Sequence, residues 1–399
     1  MNKNKIKILH LIETGGPGGA ETVLLNIVRN IDSRRFSSLV LTLRNGWLYQ
    51  TLKEHHLEAK IIESNRAWDV GFLLKLSTLI RKERIDLIHS HLPGINFYSC
   101  LAGRITNRPV IVTYHGMIGD GDRSKWKNGF KNFVIKKTAV QVVTVSDYLK
   151  KELIDNMGID RRKVTTLYSG IDFKAFGPTK SPQRLKQKLG LSESNLLVGT
   201  IGNIRKSKGY EYLIRSAKLV GEKVPHALFL IVGEKEEKLF CDLSKLTEKL
   251  GLGERIKFLG FREDIADCLN ILDIFVLSST TEGFSIATVE AMSLAKPVVV
   301  TDCGGPREIV THNQTGFLVP PGDPKSLAEK IILLLQNKKL REEMGKRAQI
   351  WVRRRFSLEE NIRNYELLYI NCMRRHFRNG LDREGVDQVY GFGAVEKAN

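Results

Sequence analysis

The chain has 399 residues, 42% of them hydrophobic, which exceeds what one core usually holds and so predicts two domains. Lys and Arg outnumber Asp and Glu by 63 to 44, giving a formal net charge of +19. Five scattered cysteines without a C-x-x-C pair argue against a disulfide framework or zinc site and indicate a reducing, cytoplasmic compartment. No apolar run reaches the roughly 18 residues of a membrane span, and the amino terminus predicts a strand rather than a signal peptide.

The amino-terminal part of the chain alternates apolar strands with helical stretches. The predicted strands are IKILHLI, SSLVLTL, DLIHSH, VIVTYHG, VQVVTVS and VTTLYSG. Such β-branched runs, separated by helices, are typical of a parallel sheet that is covered on both faces. We therefore predict a first α/β domain over residues 1–172.

A second set of strands follows a polar, proline-bearing linker and predicts another α/β domain over residues 173–356. Its predicted strands are LLVGTIG, HALFLIVGE, IKFLGF, IFVLSST and KPVVVTDC. Helices are predicted at Tyr210–Lys223, 236–250 and Pro324–Gln336. A last helix is predicted over 358–375, and we expect the tail at 379–399 to be poorly ordered because it has little apolar periodicity.

A glycine loop at residues 15–19 follows the first strand and precedes a helix predicted over 20–30, so bare backbone there can approach a phosphate. The dinucleotide pattern G-x-G-x-x-G is absent, because Glu21 stands where its third glycine belongs. The second strand ends at Arg44 rather than at an acid for a ribose. Both observations argue against a nicotinamide dinucleotide enzyme. The alternative interpretation of the loop is a tight turn with no ligand.

Histidines stand at two predicted strand ends. His115 ends the strand VTYHG and is our catalytic candidate among nine histidines. His89 and His91 point to one face of another strand, but no nearby third ligand is evident, so we interpret them as packing or hydrogen-bonding residues rather than metal ligands. Asp120 and Asp122 form a D-x-D in a glycine-rich loop, which we interpret as a solvated turn.

Residues 101–150 hold nine Lys or Arg against three acids. Within them, the segment SKWKNGFKNFVIKK interleaves basic residues with aromatic ones. Its members are Trp126, Phe130 and Phe133 with Lys125, Lys127, Lys131, Lys136 and Lys137. A basic aromatic helix suits an anionic membrane surface and, as a rival, nucleic acid. The other alternative is a core-facing aromatic stripe with a solvated basic back.

A cationic loop, GNIRKSKG, directly follows the strand LLVGTI. Arg205 and Lys208 in this loop project from the carboxyl end of a parallel strand, which is where α/β folds bind ligands. Two such cations suit a diphosphate leaving group, because its charge grows as the bond to it breaks. The alternative is a solvated Lys/Arg cluster.

The segment TEGFSIATVE places Glu282 and Glu290 on either side of a glycine turn and the start of a helix predicted over 286–294. A helix amino terminus aims free N–H groups at the preceding loop, which suits a diphosphate. Carboxylates at two separated points can each accept hydrogen bonds from sugar hydroxyls. The segment therefore predicts a sugar-nucleotide site. The alternative is a pair of ordinary surface glutamates near a helix start.

This segment, followed by AMSLAKPVVVTDCGGPREIV and GFLVPPGD, resembles the carboxyl-terminal domain of the large retaining glycosyltransferase family with the GT-B fold, called family 4. The resemblance covers most of the chain, through HLIETGGPGGAE, HSHLPG, VTYHG, TVSDYLKKEL, LYSGID, GTIGNIRKSKGYEYLI and IKFLGFREDI. It implies an α/β fold of two Rossmann-like domains with the active site in the interdomain cleft. It also implies a closing helix over 357–378 that crosses back to the first domain.

The resemblance also implies roles for individual residues. His115 and Glu282 lie at the transferred sugar. Neither Glu282 nor Glu290 is a nucleophile, because the family relies on attack from the leaving-group face. Glu290 holds the ribose. The remaining substrate-binding positions are Gly19, Glu21, Gly202, Asn203, Arg205, Lys208, Phe261, Gly283, Phe284 and Ser285.

Within that set, Gly19 is expected near the donor phosphates and Glu21 nearer the acceptor. The segment 283–285 is expected to use its backbone, and the loop with Phe261 is expected to meet the base. Asn203 stands where a common version of the family has Arg, so that role passes to Arg205.

We therefore expect a metal-independent, retaining glycosyltransferase that needs no cofactor besides its UDP- or GDP-linked sugar donor. The expected acceptor is a glycan or lipid-linked intermediate of surface polysaccharide or glycolipid synthesis, met at the cytoplasmic membrane face. The alternatives are a nucleotide-sugar epimerase or hydrolase on the same fold, and a basic nucleic-acid-binding protein.

Overall fold

The structure is a computed structural model that describes residues 5–64, 69–116, 125–177 and 182–377, without the side chains of residues 125–128 and 377. The chain divides into two compact units, unit 1 (Met1–Tyr168 with Glu359–Asn399) and unit 2 (Ser169–Leu358). The D-x-D motif at Asp120 and Asp122 and the tail at 379–399 lie outside the described residues.

Unit 1 is built on a seven-stranded parallel sheet with the strand order β3-β2-β1-β4-β5-β6-β7. Its strands are β1 (Ile6–Ile12), β2 (Phe36–Thr42), β3 (Ala59–Ile61), β4 (Leu87–His91), β5 (Val110–Tyr114), β6 (Gln141–Thr144) and β7 (Val164–Thr166). Its first helices are α1 (Gly19–Asn30), α2 (Trp47–Glu54), α3 (Val70–Lys82), α4 (Pro93–Thr106), α5 (Lys125–Thr138) and α6 (Asp147–Asp155). The six strands predicted from the sequence are all present. In this unit, only the three-residue β3 was missed.

Unit 2 is built on a six-stranded parallel sheet with the strand order β10-β9-β8-β11-β12-β13. Its strands are β8 (Leu196–Ile201), β9 (Ala227–Val232), β10 (Ile256–Gly260), β11 (Ile274–Leu277), β12 (Val298–Thr301) and β13 (Phe317–Val319). Its helices are α7 (Pro182–Lys188), α8 (Tyr210–Lys223), α9 (Glu237–Lys249), α10 (Ile265–Asn270), α11 (Ile286–Ser293), α12 (Pro306–Ile309), α13 (Pro324–Gln336) and α14 (Lys338–Arg355). Both sheets confirm the predicted fold class of two Rossmann-like α/β domains.

The last helix, α15 (Leu358–Phe377), packs within unit 1. Tyr365 and Tyr369 on this helix are buried, and the Tyr369 hydroxyl lies 2.7 Å from Nδ1 of His89 on β4. Near its start, the Asn361 side-chain amide donates to the backbone oxygen of Tyr168. The helix therefore covers the sheet of unit 1 with an aromatic face.

The order of the strands reverses at one place in each sheet, between β1 and β4 in unit 1 and between β8 and β11 in unit 2. In open parallel sheets, ligands bind beyond the carboxyl ends of the strands at such a switch point. The loops in question are 13–18 after β1, residue 92 after β4, 202–209 after β8 and 278–285 after β11. Most of the residues predicted as site residues fall in or beside these loops.

Two further features concern the compartment predicted from the sequence. All five cysteines lie in the described part of the chain and none forms a disulfide; four are buried and Cys241 is exposed. Among the described residues, no helix combines the length and apolar character that crossing a membrane requires.

Candidate functional site

The loops that follow β8 and β11 are held together by backbone hydrogen bonds. The Thr280 N–H donates to the Ser207 oxygen at 2.8 Å, and the Ser278 hydroxyl donates to the Lys208 oxygen at 2.9 Å. Gly209 allows this approach, because its φ is +60° and a Cβ there would lie 2.2 Å from the Ser278 oxygen. The two loops therefore form one continuous surface at the switch point of unit 2.

An ion pair joins the two loops at their centre. The Lys208 Nζ donates to Oε2 of Glu282 at 2.5 Å, and the two side chains are 23% and 14% exposed. The Ser279 hydroxyl donates to the same carboxylate oxygen at 3.2 Å. Both residues were predicted as site residues from separate motifs. The structure brings them into direct contact, so each neutralises the other.

The backbone of Glu282 is fixed from the other side by the loop after β12. Its N–H donates to the Cys303 oxygen at 3.1 Å, and its own oxygen accepts from the Gly305 N–H at 2.9 Å. A Cβ on Gly305 would lie 2.0 Å from the oxygen of Gly283. Only glycine permits this approach. The Gly304–Gly305 pair indicates this close contact in the sequence, but neither residue was among the predicted site residues.

The other predicted residues of the loop after β8 differ in whether their polar groups are free to bind a ligand. Arg205 is exposed, and its side chain makes no hydrogen bond or ion pair with any residue in the described ranges. Asn203 uses its Oδ1 to accept from the Glu234 N–H at 3.1 Å. The Gly202 oxygen accepts from the hydroxyl of the buried Tyr210 at 2.5 Å. Arg205 is therefore the accessible cation, whereas Asn203 and Gly202 shape the loop.

The segment Gly283 to Ser285 turns its side chains inward. Phe284 is buried, and its ring centroid lies 5.4 Å from that of Phe356. The Ser285 hydroxyl caps α11 by accepting from the Thr288 N–H at 3.3 Å. Only the backbone of this segment is in a position to meet a ligand, because its polar and aromatic side chains are occupied.

Glu290 carries an uncompensated carboxyl group on α11. The residue is half-buried, and no side chain or backbone group in the described ranges forms a hydrogen bond or ion pair with its carboxylate. Burial raises the pKa of Glu290 to about 7, because the charged form loses hydration without gaining a partner. An acid held in this way is typical of a binding site whose ligand completes its environment.

The loop after β10 exposes one aromatic ring. Phe261 is 44% exposed and follows Gly260, which adopts a φ of +70°. The neighbouring Arg262 donates from Nε to Oδ1 of Asp264 at 2.7 Å, so its side chain is occupied. Phe261 therefore offers a free ring face, whereas Arg262 offers only its backbone.

In unit 1, the glycine loop encloses an acid. Gly19 is exposed at the first position of α1, but Glu21 is buried and accepts from the Thr14 hydroxyl. A Cβ on Gly18 would lie 2.7 Å from Oε2 of Glu21, so the carboxylate packs closely against the glycine backbone. The structure places this carboxylate inside the loop, where it stabilises the turn. A contact of Glu21 with an acceptor stays a prediction.

Four histidines gather in unit 1 at the switch point between β1 and β4. His10 on β1 is paired in register with His89 on β4, and one ring nitrogen from each of His10, His89 and His91 lies within 4.8 Å of the other two. The fourth, His115, follows β5, and its Nε2 lies 3.1 Å from Nδ1 of His91. The expectation that no third histidine lies near the H-x-H pair was wrong. His10 was missed because it lies within a strand of mostly apolar residues, IKILHLI, and its proximity to His89 and His91 follows from strand order alone.

The nitrogens of this cluster are unequally occupied. His89 uses both, with Nδ1 2.7 Å from the Tyr369 hydroxyl and Nε2 2.7 Å from the Thr113 hydroxyl. Within the described part of the chain, Nδ1 of His10 and Nε2 of His91 are buried without a hydrogen-bond partner. Burial lowers the pKa of His10 to about 3 and that of His115 to about 4, and it places the pKa values of His89 and His91 well below their usual range. All four imidazoles are therefore neutral at pH 7.

Helix α5 exposes aromatic residues instead of burying them. Phe130 is 43% exposed and Phe133 is 55% exposed, whereas Val134 and Ile135 are buried. The Lys137 Nζ lies 5.9 Å from the centroid of the Phe133 ring. The alternative of a core-facing aromatic stripe was wrong for Phe133, whereas the Phe130 ring still packs edge-on against the buried Phe97, with their centroids 6.0 Å apart. The side chain of Trp126 lies outside the described residues.

Comparison with known proteins identifies two family models along the chain. The model described as "Glycosyltransferase Family 4" matches residues 17–175, and the model described as "Glycosyl transferases group 1" matches residues 182–351. The two matches fall largely in unit 1 and in unit 2 respectively.

Relatives and solved structures agree with these matches. The chain is 30% identical to N-acetyl-alpha-D-glucosaminyl L-malate synthase of Bacillus anthracis over 77% of this chain and 80% of that protein. It is 25% identical to UDP-Gal:alpha-D-GlcNAc-diphosphoundecaprenol alpha-1,3-galactosyltransferase of Escherichia coli over 93% and 98%.

Among solved structures, Anabaena HepE in complex with UDP and glucose superposes with a TM-score of 0.84 at 26% identity, covering 91% of this chain and 99% of HepE. The chain therefore belongs to the group 1 glycosyltransferases of family 4, which have the GT-B fold.

Proposed function

We propose that this protein is a retaining, metal-independent glycosyltransferase that moves a sugar from a UDP- or GDP-linked donor to a lipid-linked or polysaccharide acceptor. The observation that carries the proposal is the contact of Lys208 with Glu282 beside the unpaired Arg205, at the switch point of unit 2. This surface offers both a diphosphate site and a sugar-hydroxyl acceptor within a few ångströms. A UDP-linked donor is the first candidate, because HepE was solved with UDP-glucose and the Escherichia coli relative is named for UDP-Gal.

In this proposal, donor binding replaces the ion pair with two new contacts. The diphosphate binds the Lys208 ammonium and the Arg205 guanidinium, since Arg can hold two phosphate oxygens at once. Glu282 then accepts hydrogen bonds from hydroxyls of the transferred sugar. Because the ion pair is present before the donor arrives, both side chains are already held near the positions that they need.

The remaining residues recognise the rest of the donor. Glu290 accepts from the ribose hydroxyls, which supply the partners that its carboxylate lacks among the residues that the structure describes. The backbone of 283–285 meets the sugar and phosphates at the start of α11, and the loop with Phe261 meets the base. His115 donates to the transferred sugar. Gly19 lies near the donor phosphates and Glu21 nearer the acceptor.

The transfer step needs no nucleophile from the protein. The acceptor hydroxyl oxygen attacks the anomeric carbon from the leaving-group face as the bond from that carbon to the phosphate oxygen breaks. The acceptor proton passes to the leaving phosphate oxygen, and the configuration at the anomeric carbon is retained. Arg205 and Lys208 stabilise the negative charge that develops on the diphosphate, so no divalent cation is required.

A lipid-linked acceptor is supported by two observations. The Escherichia coli relative is named for a diphosphoundecaprenol acceptor. In this chain, Phe130 and Phe133 stand exposed on the lysine-rich helix α5. We propose that this helix lies on an anionic bilayer at the cytoplasmic face and brings the protein to its acceptor.

A panel of UDP- and GDP-linked sugars tests the proposal by thermal stabilisation, followed by transfer assays. A ligand at 100 times its dissociation constant adds about 2.7 kcal/mol to the free energy of unfolding, so the true donor is readily detected. We expect stabilisation to be reduced in Arg205→Ala and unchanged in the exposed control Lys206→Ala.

The transfer assays use the donor found in the panel with lipid-linked acceptors, with and without EDTA. We expect activity that EDTA does not change and a product with retained anomeric configuration. Loss of activity in EDTA with recovery in manganese contradicts metal independence. Sugar released or epimerised without acceptor identifies a hydrolase or epimerase instead, and stabilisation by nucleic acid alone rejects an enzyme.

A further inference from the structure

His91 forms a direct hydrogen bond with His115, our sugar-contacting candidate. Nδ1 of His91 lies 3.1 Å from Nε2 of His115, and the two rings are nearly parallel, with centroids 5.3 Å apart and 25° between their planes. Burial keeps both imidazoles neutral near pH 7, since it lowers the pKa of each. Each neutral ring carries a single N–H, and a hydrogen bond between two ring nitrogens needs one N–H and one bare nitrogen. The shared proton therefore lies either on Nδ1 of His91 or on Nε2 of His115.

The position of that proton follows from the other nitrogen of His91. If His115 donated from Nε2, the neutral His91 would have to carry its own proton on Nε2. That atom is buried and has no acceptor in the described part of the chain, and orphaned buried N–H groups are rare in proteins. If His91 donates from Nδ1, its Nε2 is a bare nitrogen and no N–H is left unpaired. The second arrangement therefore costs less free energy.

The ring of His91 is also unable to turn away. The residue ends β4 with no exposed surface, its ring centroid lies 4.1 Å from that of His89, and it stacks on His10 at 6.1 Å. His89 is fixed in turn by its two hydrogen bonds. A donor held in a packed strand imposes a single orientation on the ring that accepts from it.

We infer that His91 is a positioning residue that holds His115 in the Nδ1–H tautomer, so that His115 presents an N–H donor to its ligand. The Nδ1 atom of the half-buried His115 has no hydrogen-bond partner among the described residues, so it is free to donate. A sugar hydroxyl oxygen has two lone pairs and suits this donor. The nature of that ligand rests on the proposed glycosyl transfer, whereas the tautomer does not.

Nitrogen-15 NMR of the histidine-labelled protein reads the tautomer directly and needs no substrate. We expect the His115 signals, assigned by their loss in His115→Ala, to show a protonated Nδ1 and a bare Nε2. A protonated Nε2 on His115 in the parent protein overturns the inference, even if every variant below fails to fold.

Two substitutions of His91 separate positioning from packing. In His91→Asn the side-chain amide can donate from nearly the same place as Nδ1, whereas His91→Leu fills the space without a donor. We expect His115 to keep its tautomer in the Asn variant and to populate both tautomers in the Leu variant. An unchanged tautomer in the folded Leu variant overturns the inference.

Kinetics then tests whether the positioning serves the reaction. We expect turnover per folded molecule to fall roughly three- to tenfold in His91→Leu, the worth of one hydrogen bond, and to be largely restored in His91→Asn. Affinity for the nucleoside diphosphate alone should not change in either. Equal turnover losses in the two variants show a packing role and overturn the inference. If no donor supports transfer at all, the proposed function fails while the NMR result still decides the tautomer.

Discussion

Lys208 and Glu282 lie 74 residues apart in the chain, yet their side chains form an ion pair of 2.5 Å across two loops of unit 2. The pair is partly buried, and the Ser279 hydroxyl donates a hydrogen bond to its carboxylate. Partly buried partners depend on each other, because removing one leaves the other desolvated and uncompensated. The loops therefore hold a cation and an anion in contact at the place where the proposed function puts the donor.

The first prediction separates the two partners by what they bind. Lys208→Ala should weaken the binding of UDP or GDP by roughly 1–3 kcal/mol, because a charged donor to the diphosphate is lost. Glu282→Gln should leave that affinity unchanged or slightly higher, since it releases Lys208, but should lower turnover because the sugar loses its acceptor. Calorimetry and steady-state kinetics measure the two effects.

The exposed Lys206, in the same short turn, is the matched control for charge. Lys206→Ala lowers the net charge by the same amount and should have little effect on diphosphate affinity. If Lys206→Ala and Lys208→Ala weaken the diphosphate equally, the effect is one of general charge, and Lys208 has no specific contact with it.

The second prediction concerns the pH dependence of nucleotide binding. Burial raises the pKa of Glu290 to about 7 in the free protein, and ribose hydroxyls that donate to the carboxylate favour its charged form. Affinity should therefore rise as the pH increases through about 7. The nucleotide titrates as well, so the informative quantity is the ratio of affinities between the parent and Glu290→Gln. A ratio that does not change between pH 6 and pH 8 contradicts the ribose role.

The third prediction is that Glu290 destabilises the folded protein at alkaline pH. Its pKa is raised in the folded state, so the folded protein binds more protons than the unfolded chain between about pH 4.5 and 7. This contribution to the free energy of unfolding falls as the pH rises through that window and is constant above it. At pH 8, Glu290→Gln should be more stable by about 2–3 kcal/mol. Urea unfolding at pH 5 and pH 8 measures the difference, which should largely disappear at pH 5.

The fourth prediction concerns the histidine cluster, where the free energy of unfolding changes with pH in the opposite direction. Burial lowers the pKa of His10 to about 3, so below about pH 6.5 the unfolded chain binds a proton that the folded protein does not. The free energy of unfolding should fall with decreasing pH by about 1.4 kcal/mol per unit for each such histidine. His10→Leu should reduce that slope, and His55→Asn, a change at an exposed histidine of unit 1, should not. Equal slopes in both variants would show that His10 is protonated in the folded state.

The fold was accessible from the sequence because buried parallel strands leave continuous apolar runs. Strands such as β4 and β5 are buried at every residue, and each was predicted. The strands that were missed, β3 and β13, contain three residues each, whereas β7, an edge strand of the same length, was predicted as part of the longer segment VTTLYSG. Local pattern thus predicts long central strands and is uneven for edge strands of three residues.

The residues of the candidate site could be selected from local sequence, whereas the contacts between them could not be predicted. Arg205, Lys208, Glu282 and Glu290 were selected because motif and loop position both follow from local sequence. The ion pair of Lys208 depends on which strands become neighbours, and β8 and β11 are distant in the chain. The same reason explains why His10 was missed and why the burial of Glu21 was unexpected. Contacts between residues that are distant in the chain can be predicted only when the order of the strands in the sheet is known.

The last prediction concerns the exposed face of α5. Each basic residue near an anionic bilayer contributes on the order of 1 kcal/mol, and the exposed rings of Phe130 and Phe133 add apolar contact with the interface. We expect the protein to sediment with vesicles that contain phosphatidylserine and to be released by high salt. Sedimentation should be lost when five lysines are replaced by Gln: Lys125, Lys127, Lys131, Lys136 and Lys137.

A second variant isolates the aromatic contribution to that binding. Phe133→Ser should weaken sedimentation without altering the net charge, whereas Leu74→Ser, at a residue 62% exposed on α3, serves as its control because it removes an apolar side chain from elsewhere on unit 1. Binding that depends on the lysines but not on Phe133 describes a purely electrostatic contact, with no ring inserted into the bilayer. Equal sedimentation of the lysine variant and the parent removes α5 as a membrane contact. In that event the proposal of a membrane-bound acceptor rests on the relatives alone.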